Sequence, residues 1–492
     1  MRRPMPIFYS ALMLTGVNLL LRFTGTAFQV YLSGRLGAAG IGLLQLVLSV
    51  GGLSMTAGIA GIRTATMYLT AEELGRRTPE NVRSVLSGAI LYSILCSTAV
   101  AASLYGFAPL IADKWIGDER TIGAIRLLAA FLPVSCLTAV MSGYFIAANR
   151  VGILAAVEVA EQLCSMAITA STLAIWAGND PGRACQAVVL GSCAGSVLTL
   201  TCLVILRLRE RAAQVHPIPI ARRLAEAAIP LAMADDLKAG ISTAENLMVP
   251  KRLSLYTAGS LALFGTVCGM VFPILMFPAA ILFGLTELLI PEMARCNAAG
   301  SKGRIHYLMK RSLRLTLLYG TLCSGILFLA APELCSGLYR NEAAGQYLRW
   351  FAPLAVMLYC DIITDAMIKG LGQQKISVRY NILTSAMDVA LLFILLPKFG
   401  IKGYYFSFLV THAINFLLSL RRLMKITSQG LNLPSALLTL GCGALSVWLC
   451  AGISDPILRC ISFGAGLTSA LVLLGVLRKE DLRSLKGLVC RK

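Results

Sequence analysis

The sequence predicts an all-α integral membrane protein of about fourteen transmembrane helices, and three observations carry that prediction. Of the 492 residues, 57% are hydrophobic and 14% charged, with a mean hydropathy of +0.75. A soluble domain carries about 25% charged residues. Apolar stretches of about twenty residues recur from Ile7 to Leu477, each long enough to cross a hydrocarbon layer about 30 Å thick. The stretches are continuous rather than alternating, which selects helices over a barrel as the way to satisfy the backbone in lipid.

The predicted spans are 7–33, 40–69, 84–107, 122–147, 152–177, 184–206, 224–249, 258–290, 313–331, 346–368, 376–396, 402–420, 434–452 and 457–477. With the N-terminus inside, 29 of the 44 Lys and Arg fall on the cytoplasmic side and 12 outside, leaving Arg22, Arg63 and Lys238 within spans. Cytoplasmic retention of Lys and Arg therefore predicts both termini inside a cytoplasmic membrane. The net charge of +20 reads as a topology signal, with weak attraction to anionic lipid headgroups and no nucleic-acid partner. Residues 1–33 are too long and too polar for a cleavable signal. Fifteen Cys scattered through the spans and three His give no metal-ligand spacing, so no metal, disulfide or cofactor is expected.

Internal similarity suggests a duplication. Arg35-Leu-Gly-Ala-Ala-Gly opens span two and Arg252-Leu-Ser-Leu-Tyr-Thr-Ala-Gly opens span eight, while Ala130-Phe-Leu-Pro133 matches Trp350-Phe-Ala-Pro353. The expected organisation is an N-terminal six-helix lobe (1–206), a basic cytoplasmic linker (207–223), a C-terminal six-helix lobe (224–425), and two appended helices with a basic tail (426–492). Duplicated bundles are a recurrent transporter plan with the site between the repeats. Pro273, Pro278 and Pro291 mark expected kinks in span eight.

Polar residues inside spans are costly and face protein or water. Thr15, Asn18, Arg22, Thr26, Gln29 and Ser33 share one face of span one, and Gln45, Ser49, Gly52, Thr56 and Arg63 one face of span two. In span seven, Asp235, Lys238, Ser242, Glu245 and Asn246 do the same. Single hydroxyls and amides serve as interhelical glue. A mid-span guanidinium does not, and its planar fork of donors suits phosphate oxygens, so Arg22 and Arg63 read as anion ligands. Arg63 lies near a helix end and can also snorkel. Lys238 either adds positive charge or is neutralised by Asp235 or Glu245. Glu158 and Glu161 in span five, and His412 with Asn415 in span twelve, are further intramembrane polar groups. Asp361, Asp365 and Asp388 are candidates for ion coupling by H+ or Na+, although Asp361 and Asp365 can equally pair with Lys369. No phosphate-binding glycine loop or nucleophile elbow occurs, so no enzyme is expected.

Arg22-Phe-Thr-Gly25 followed by Gly37-Ala-Ala-Gly-Ile-Gly-Leu-Leu-Gln45 resembles the opening of the stage V sporulation protein B-like flippases of the multidrug/oligosaccharidyl-lipid/polysaccharide (MOP) exporter superfamily. Asn246-Leu-Met-Val-Pro-Lys-Arg252, Phe264-Gly-Thr-Val-Cys-Gly-Met270, Leu289-Ile-Pro-Glu292 and Lys369-Gly-Leu-Gly372 extend the resemblance over about residues 7–425. It implies a V-shaped pair of six-helix lobes, alternating access, and polyprenyl-pyrophosphate sugars as substrates; membrane lipids and the lipid-linked saccharide are the expected partners, and a monomer is expected. By motif position it adds Arg252 to Arg22 and Arg63 as cavity arginines. Ala39 stands where the family often has an acid, and Gln29 where it often has a charged residue. A cation-coupled multidrug exporter, a membrane glycosyltransferase and a non-transporting scaffold are the alternatives. Organic cations call for acids where span one offers Arg22, a glycosyltransferase needs a larger outer loop than 108–121, and intact charged seams oppose a scaffold.

Overall fold

The computed structural model describes residues 7–75, 79–148, 150–178, 180–209, 221–428 and 433–475. Of the described residues, 92% are helical and none lies in a strand. The expected basic linker at 210–220 and the tail beyond 475 lie outside them.

The first helix shows how the apolar pattern is realised. Helix α1 (Ile7–Ile59) runs for 53 residues, about 80 Å at 1.5 Å per residue, which is far more than one crossing needs. It is two helical arms joined at Gly37, whose φ of 67° and ψ of 178° break the helix. A residue without a Cβ adopts that conformation readily. The predicted spans 7–33 and 40–69 are thus two arms around a one-residue kink, and the second ends at Ala60 and Gly61 before α2 (Ile62–Gly75).

The chain continues through α3 (Pro79–Leu110), α4 (Ile122–Ala147), α5 (Val151–Thr172), α6 (Pro181–Leu208), α7 (Ala221–Leu253) and α8 (Ser260–Thr266). After α3 a π-helical turn, Ile111–Ile116, leads to Gly117 and then Asp118, which accepts a hydrogen bond from Arg120 N at 3.0 Å. The Arg120 guanidinium, 2.6 Å from the same carboxylate, holds Asp118 below the usual carboxylate range. Asp180 caps α6 through Gly182 N at 2.9 Å. Capping groups of this kind satisfy the donors that a helix start leaves open.

The remaining helices are α9 (Phe272–Met276), α10 (Ala279–Ala298), α11 (Lys302–Tyr339), α12 (Glu342–Phe351), α13 (Leu354–Gly370), α14 (Gln374–Phe399), α15 (Ile401–Thr427), α16 (Leu433–Cys450) and α17 (Pro456–Leu473). The expected kink appears as a 58° bend where α9 meets α10 at Pro278, whereas Pro291 lies inside α10 without a break. A second bend, 56° between α12 and α13, precedes Leu354. Among the described residues, nine helices are long and apolar enough to cross a membrane, or up to eleven counting each bent pair as one span. The second arm of α1, with α7 and α16, are the other segments expected to cross.

Packing divides the chain into two compact units. Unit 1 takes residues up to Gly269 together with Ser385–Ile401, and unit 2 takes Met270–Thr384 with the residues from Lys402 onward. Helix α7 and the start of the following span therefore pack with the N-terminal helices, so these units are not coextensive with the lobes expected from the repeat.

Within unit 1, Ile62, Leu69, Val85, Phe145, Leu154, Leu203 and Leu224 form a buried core. The α1–α8 crossing is closer still. A Cβ on Gly265 would lie 2.0 Å from the Ala38 carbonyl oxygen, and one on Gly42 would lie 2.3 Å from that of Leu261. In lipid, where apolar burial gives helices little reason to associate, such backbone approach supplies the attraction.

In unit 2, Phe463 of α17 is fully buried against Gly325 of α11, which docks the appended helices. Two tyrosines close on the α9–α10 bend. Tyr359 Oη donates to Leu275 O at 2.7 Å, and Tyr319 Oη donates to Pro278 O at 2.8 Å. Their rings stack at 6.1 Å.

Candidate functional site

All ten residues read as cavity-lining lie in unit 1. Many of the neighbouring hydroxyls are used within their own helices. Thr26 donates to Arg22 O at 2.9 Å, Ser49 to Gln45 O at 2.8 Å and Thr56 to Gly52 O at 2.9 Å. Such back-bonding spends the hydroxyl proton within its own helix. What remains of the seams on α1 and α2 is amide, charge and the buried hydroxyl of Ser33, which has no hydrogen-bond partner among the described residues.

Arg22 on α1 and Arg63 in the first turn of α2 are exposed, and Asn18 and Gln45 are half-buried. Gln29 has a structural task, since its Nε2 donates to Gly269 O at 3.2 Å and ties α1 to the π-helical turn Val267–Val271 after α8. The Arg63 backbone is pressed against α4, where a Cβ on Gly143 would come within 2.5 Å of the Arg63 carbonyl oxygen. The guanidinium therefore starts from a fixed turn.

The α7 seam divides three ways. Asn246 Nδ2 donates to Ser49 Oγ at 3.0 Å, and Thr243 Oγ1 donates to Ser49 O at 3.1 Å, which seats this stretch on α1. Glu245 turns to α14, where its carboxyl meets that of the buried Asp388 in a hydrogen bond. Asp235 and Lys238 are exposed and form no ion pair among the described residues, so Lys238 is not neutralised by Glu245. Arg252, at the end of α7, lays its guanidinium over the Phe393 ring at 3.2 Å from the centroid. That is a cation–π contact.

In unit 2, Asp365 pairs with Lys369 at 2.6 Å and accepts a hydrogen bond from Ser377. Asp361 accepts from Asn415 Nδ2 at 2.9 Å while its Oδ1 is buried without a hydrogen-bond partner. The two carboxylates one turn apart thus have separate partners.

Two polar groups in unit 1 escaped the seam analysis as site residues. Asp236 directs a buried, unpartnered Oδ1 into the region of Tyr92 on α3. The Asp235–Asp236 doublet was the available signal, and periodicity on one face discards its second member. Glu158 on α5 lies within electrostatic reach of Arg63. The spacing of Glu158, Glu161 and Gln162 marks a polar face on α5, but no sequence feature links it to α2.

Arginines and carboxyls set into otherwise apolar membrane helices mark a functional region. Residues 15–175 match the MatE family. Stage V sporulation protein B of Bacillus subtilis (strain 168) is 21% identical over 468 residues, covering 92% of this chain and 90% of that protein. Sporulation protein YkvU of the same organism is 21% identical over 309 residues, covering 61% of this chain and 68% of that protein. Among solved structures, the lipid II flippase MurJ in an inward closed conformation superposes with a TM-score of 0.70 at 11% identity, covering 94% of this chain and 98% of MurJ. A multidrug resistance MATE family transporter in an inward-facing conformation gives 0.67 at 15% identity, covering 85% of this chain and 99% of that one. The chain is thus a multi-pass membrane protein similar over most of its length to stage V sporulation protein B, and it has the fold of the MATE and MurJ structures.

Proposed function

We propose that the protein is a flippase that moves an anionic polyprenyl-pyrophosphate-linked saccharide across the cytoplasmic membrane for envelope or polysaccharide biosynthesis. The observation that carries this reading is the pair of exposed guanidiniums, Arg22 and Arg63, on polar faces of unit 1. Forked donors in a low-dielectric setting bind phosphate oxygens bidentately. Asn18, Gln45, Asp235, Lys238 and Asn246 supply further polar lining, and Arg252 a cation braced on Phe393. Alternating access of the two repeat-related lobes would carry the headgroup, with both termini in the cytoplasm and the monomer as the working unit.

The Glu245–Asp388 pair is the proposed coupling site, because two touching carboxyls must share a proton or a cation. Asp361, with its unpartnered Oδ1, is the second candidate, while Asp365 is committed to Lys369. The acid pair also favours a second reading, cation-coupled export of organic cations.

Flipping by reconstituted protein, with a panel of lipid-linked sugars and a set of organic cations, separates the two. Arg22→Ala should abolish sugar-lipid flipping, and Arg22→Lys should restore only part, because an ammonium keeps the charge and loses the fork. Arg252→Ala should be milder. An Arg22→Ala protein that melts like the parent and flips at the parental rate overturns the proposal.

A further inference from the structure

Lys251 and Arg252 stand side by side at the end of α7, and their charges are used differently. Lys251 Nζ donates to Lys114 O in the π-helical turn after α3. Arg252 makes no hydrogen bond or ion pair with a described residue, and its partner is the Phe393 ring on α14. The acid on its own face of α7, Glu245, lies about 10 Å away along the helix axis and is occupied by Asp388. All of these groups belong to unit 1.

The stack determines how the guanidinium is presented. Its central carbon lies 3.2 Å from the ring centroid. In the ring plane that distance would overlap ring atoms, so the carbon sits above the face. An upright guanidinium would drive a nitrogen into the ring, so the two planes lie along one another. The N–H donors then point sideways, past the edge of the ring. Nε is buried without a hydrogen-bond partner, which leaves Nη1 and Nη2 as the open fork. Both supports are fixed. Ser254 N reaches Pro250 O and Tyr256 N reaches Leu253 O, each at 2.9 Å, closing α7 in a tight turn. Gly400, directly after α14, is pressed against that turn, since a Cβ there would lie 2.5 Å from the Tyr256 ring. A free Arg side chain gives up rotamer freedom when it binds, and one already stacked has less to lose.

We propose that Phe393 is a positioning residue for the anionic headgroup, a platform that holds Arg252 flat and keeps its Nη1–Nη2 fork open for one phosphate of a lipid-linked diphosphate. The inference rests on the anionic-lipid reading above. It gives a side chain with no charge and no hydrogen-bonding group a part in recognising phosphate.

The test is the affinity of the purified full-length chain, in detergent, for undecaprenyl pyrophosphate and for undecaprenol, which share the prenyl chain and differ in the diphosphate. The parent should prefer the pyrophosphate lipid. Phe393→Leu, which keeps an apolar side chain and loses the aromatic face, should reduce that preference about fivefold, as expected for one cation–π contact. Phe393→Tyr should restore it, because the face returns. In an Arg252→Ala background, Phe393→Leu should change the preference by less than about twofold, an outcome that a purely structural role for Phe393 does not produce. Should the leucine protein melt below the parent, Phe393→Met repeats the measurement with an unbranched chain and the same expectations. A parent without preference for the pyrophosphate lipid overturns the functional reading and this inference together. A parent with that preference, shared by a Phe393→Leu protein that melts normally, overturns the inference alone. So does a Phe393→Leu protein in which both affinities fall equally, since the ring would then be serving the prenyl chain.

Discussion

Tyr359→Phe removes one oxygen from the α9–α10 bend and leaves the ring in place. Pro278 has no N–H to offer Ile274, and Phe277 N reaches Ile274 O instead, at 3.3 Å. No backbone donor from the flanking turns reaches Leu275 O across the bend, so its hydrogen bond comes from Tyr359 at 2.7 Å. The tyrosine is fully buried, so water cannot replace the lost hydroxyl. An orphaned buried carbonyl costs about 1–3 kcal/mol, while interhelical hydrogen bonds in membrane proteins average about 0.6 and reach about 1.7 kcal/mol. The expected loss is therefore about 1–2 kcal/mol. Tyr319→Phe should cost less, under about 1 kcal/mol, because Pro278 O also receives Ile281 N at 3.3 Å. Equilibrium unfolding of the two variants in one mixed-micelle system, by denaturing-detergent titration, reads both values. A neutral Tyr359→Phe, or a Tyr319→Phe that is the more damaging of the two, refutes the reasoning.

Gly265→Ala should lower thermal stability and expression, because its Cβ would lie 2.0 Å from the Ala38 carbonyl oxygen and force α8 away from α1. A variant that melts with the parent would show that the crossing has slack. Asp118 is held below the usual carboxylate range by Arg120, so its contribution is present above the unfolded pKa and lost as pH falls through the folded value. The stability gap between the parent and Asp118→Asn should thus be full at pH 7 and shrink below about pH 4, as thermal unfolding at both would record. Cysteine introduced at Arg304 in a background without native thiols should label only from the cytoplasm, and at Asp455 only from outside. External labelling at 304 would reverse the proposed orientation.

The helical class and the polar seams were legible because both depend on local composition and a period of 3.6 residues. What the seams do was less legible. Periodicity counts Thr26, Ser49 and Thr56 as seam members, yet all three hydroxyls donate within their own helix, and Ser49 Oγ reaches another helix only as an acceptor, from Asn246. It places Glu245 beside Lys238, whereas the partner is Asp388, far along the chain. The bend was foreseeable from Pro278, but the tyrosines that satisfy it are 41 and 84 residues from their acceptors. Composition can show that a carbonyl will be orphaned without showing which hydroxyl will find it.

Helix α7 also has a consequence for biogenesis. It is not among the helices apolar enough to cross by themselves, and a central Asp or Lys adds about 2.5–3.5 kcal/mol to insertion. With Asp235, Asp236, Lys238 and Glu245 together, the barrier approaches about 10 kcal/mol for an isolated helix. Several of its anchors have already been synthesised when it emerges. Arg223 binds Glu72 and Glu73 at 3.0 and 2.9 Å, and Thr243 and Asn246 bind Ser49. Glu245 and Arg252 must wait for later partners, Asp388 and Phe393, both on α14. The N-terminal helices therefore act as a template on which α7 is threaded during synthesis. A chain begun at residue 221 should release α7 to the aqueous side, leaving the helices that follow to enter the bilayer in the wrong orientation.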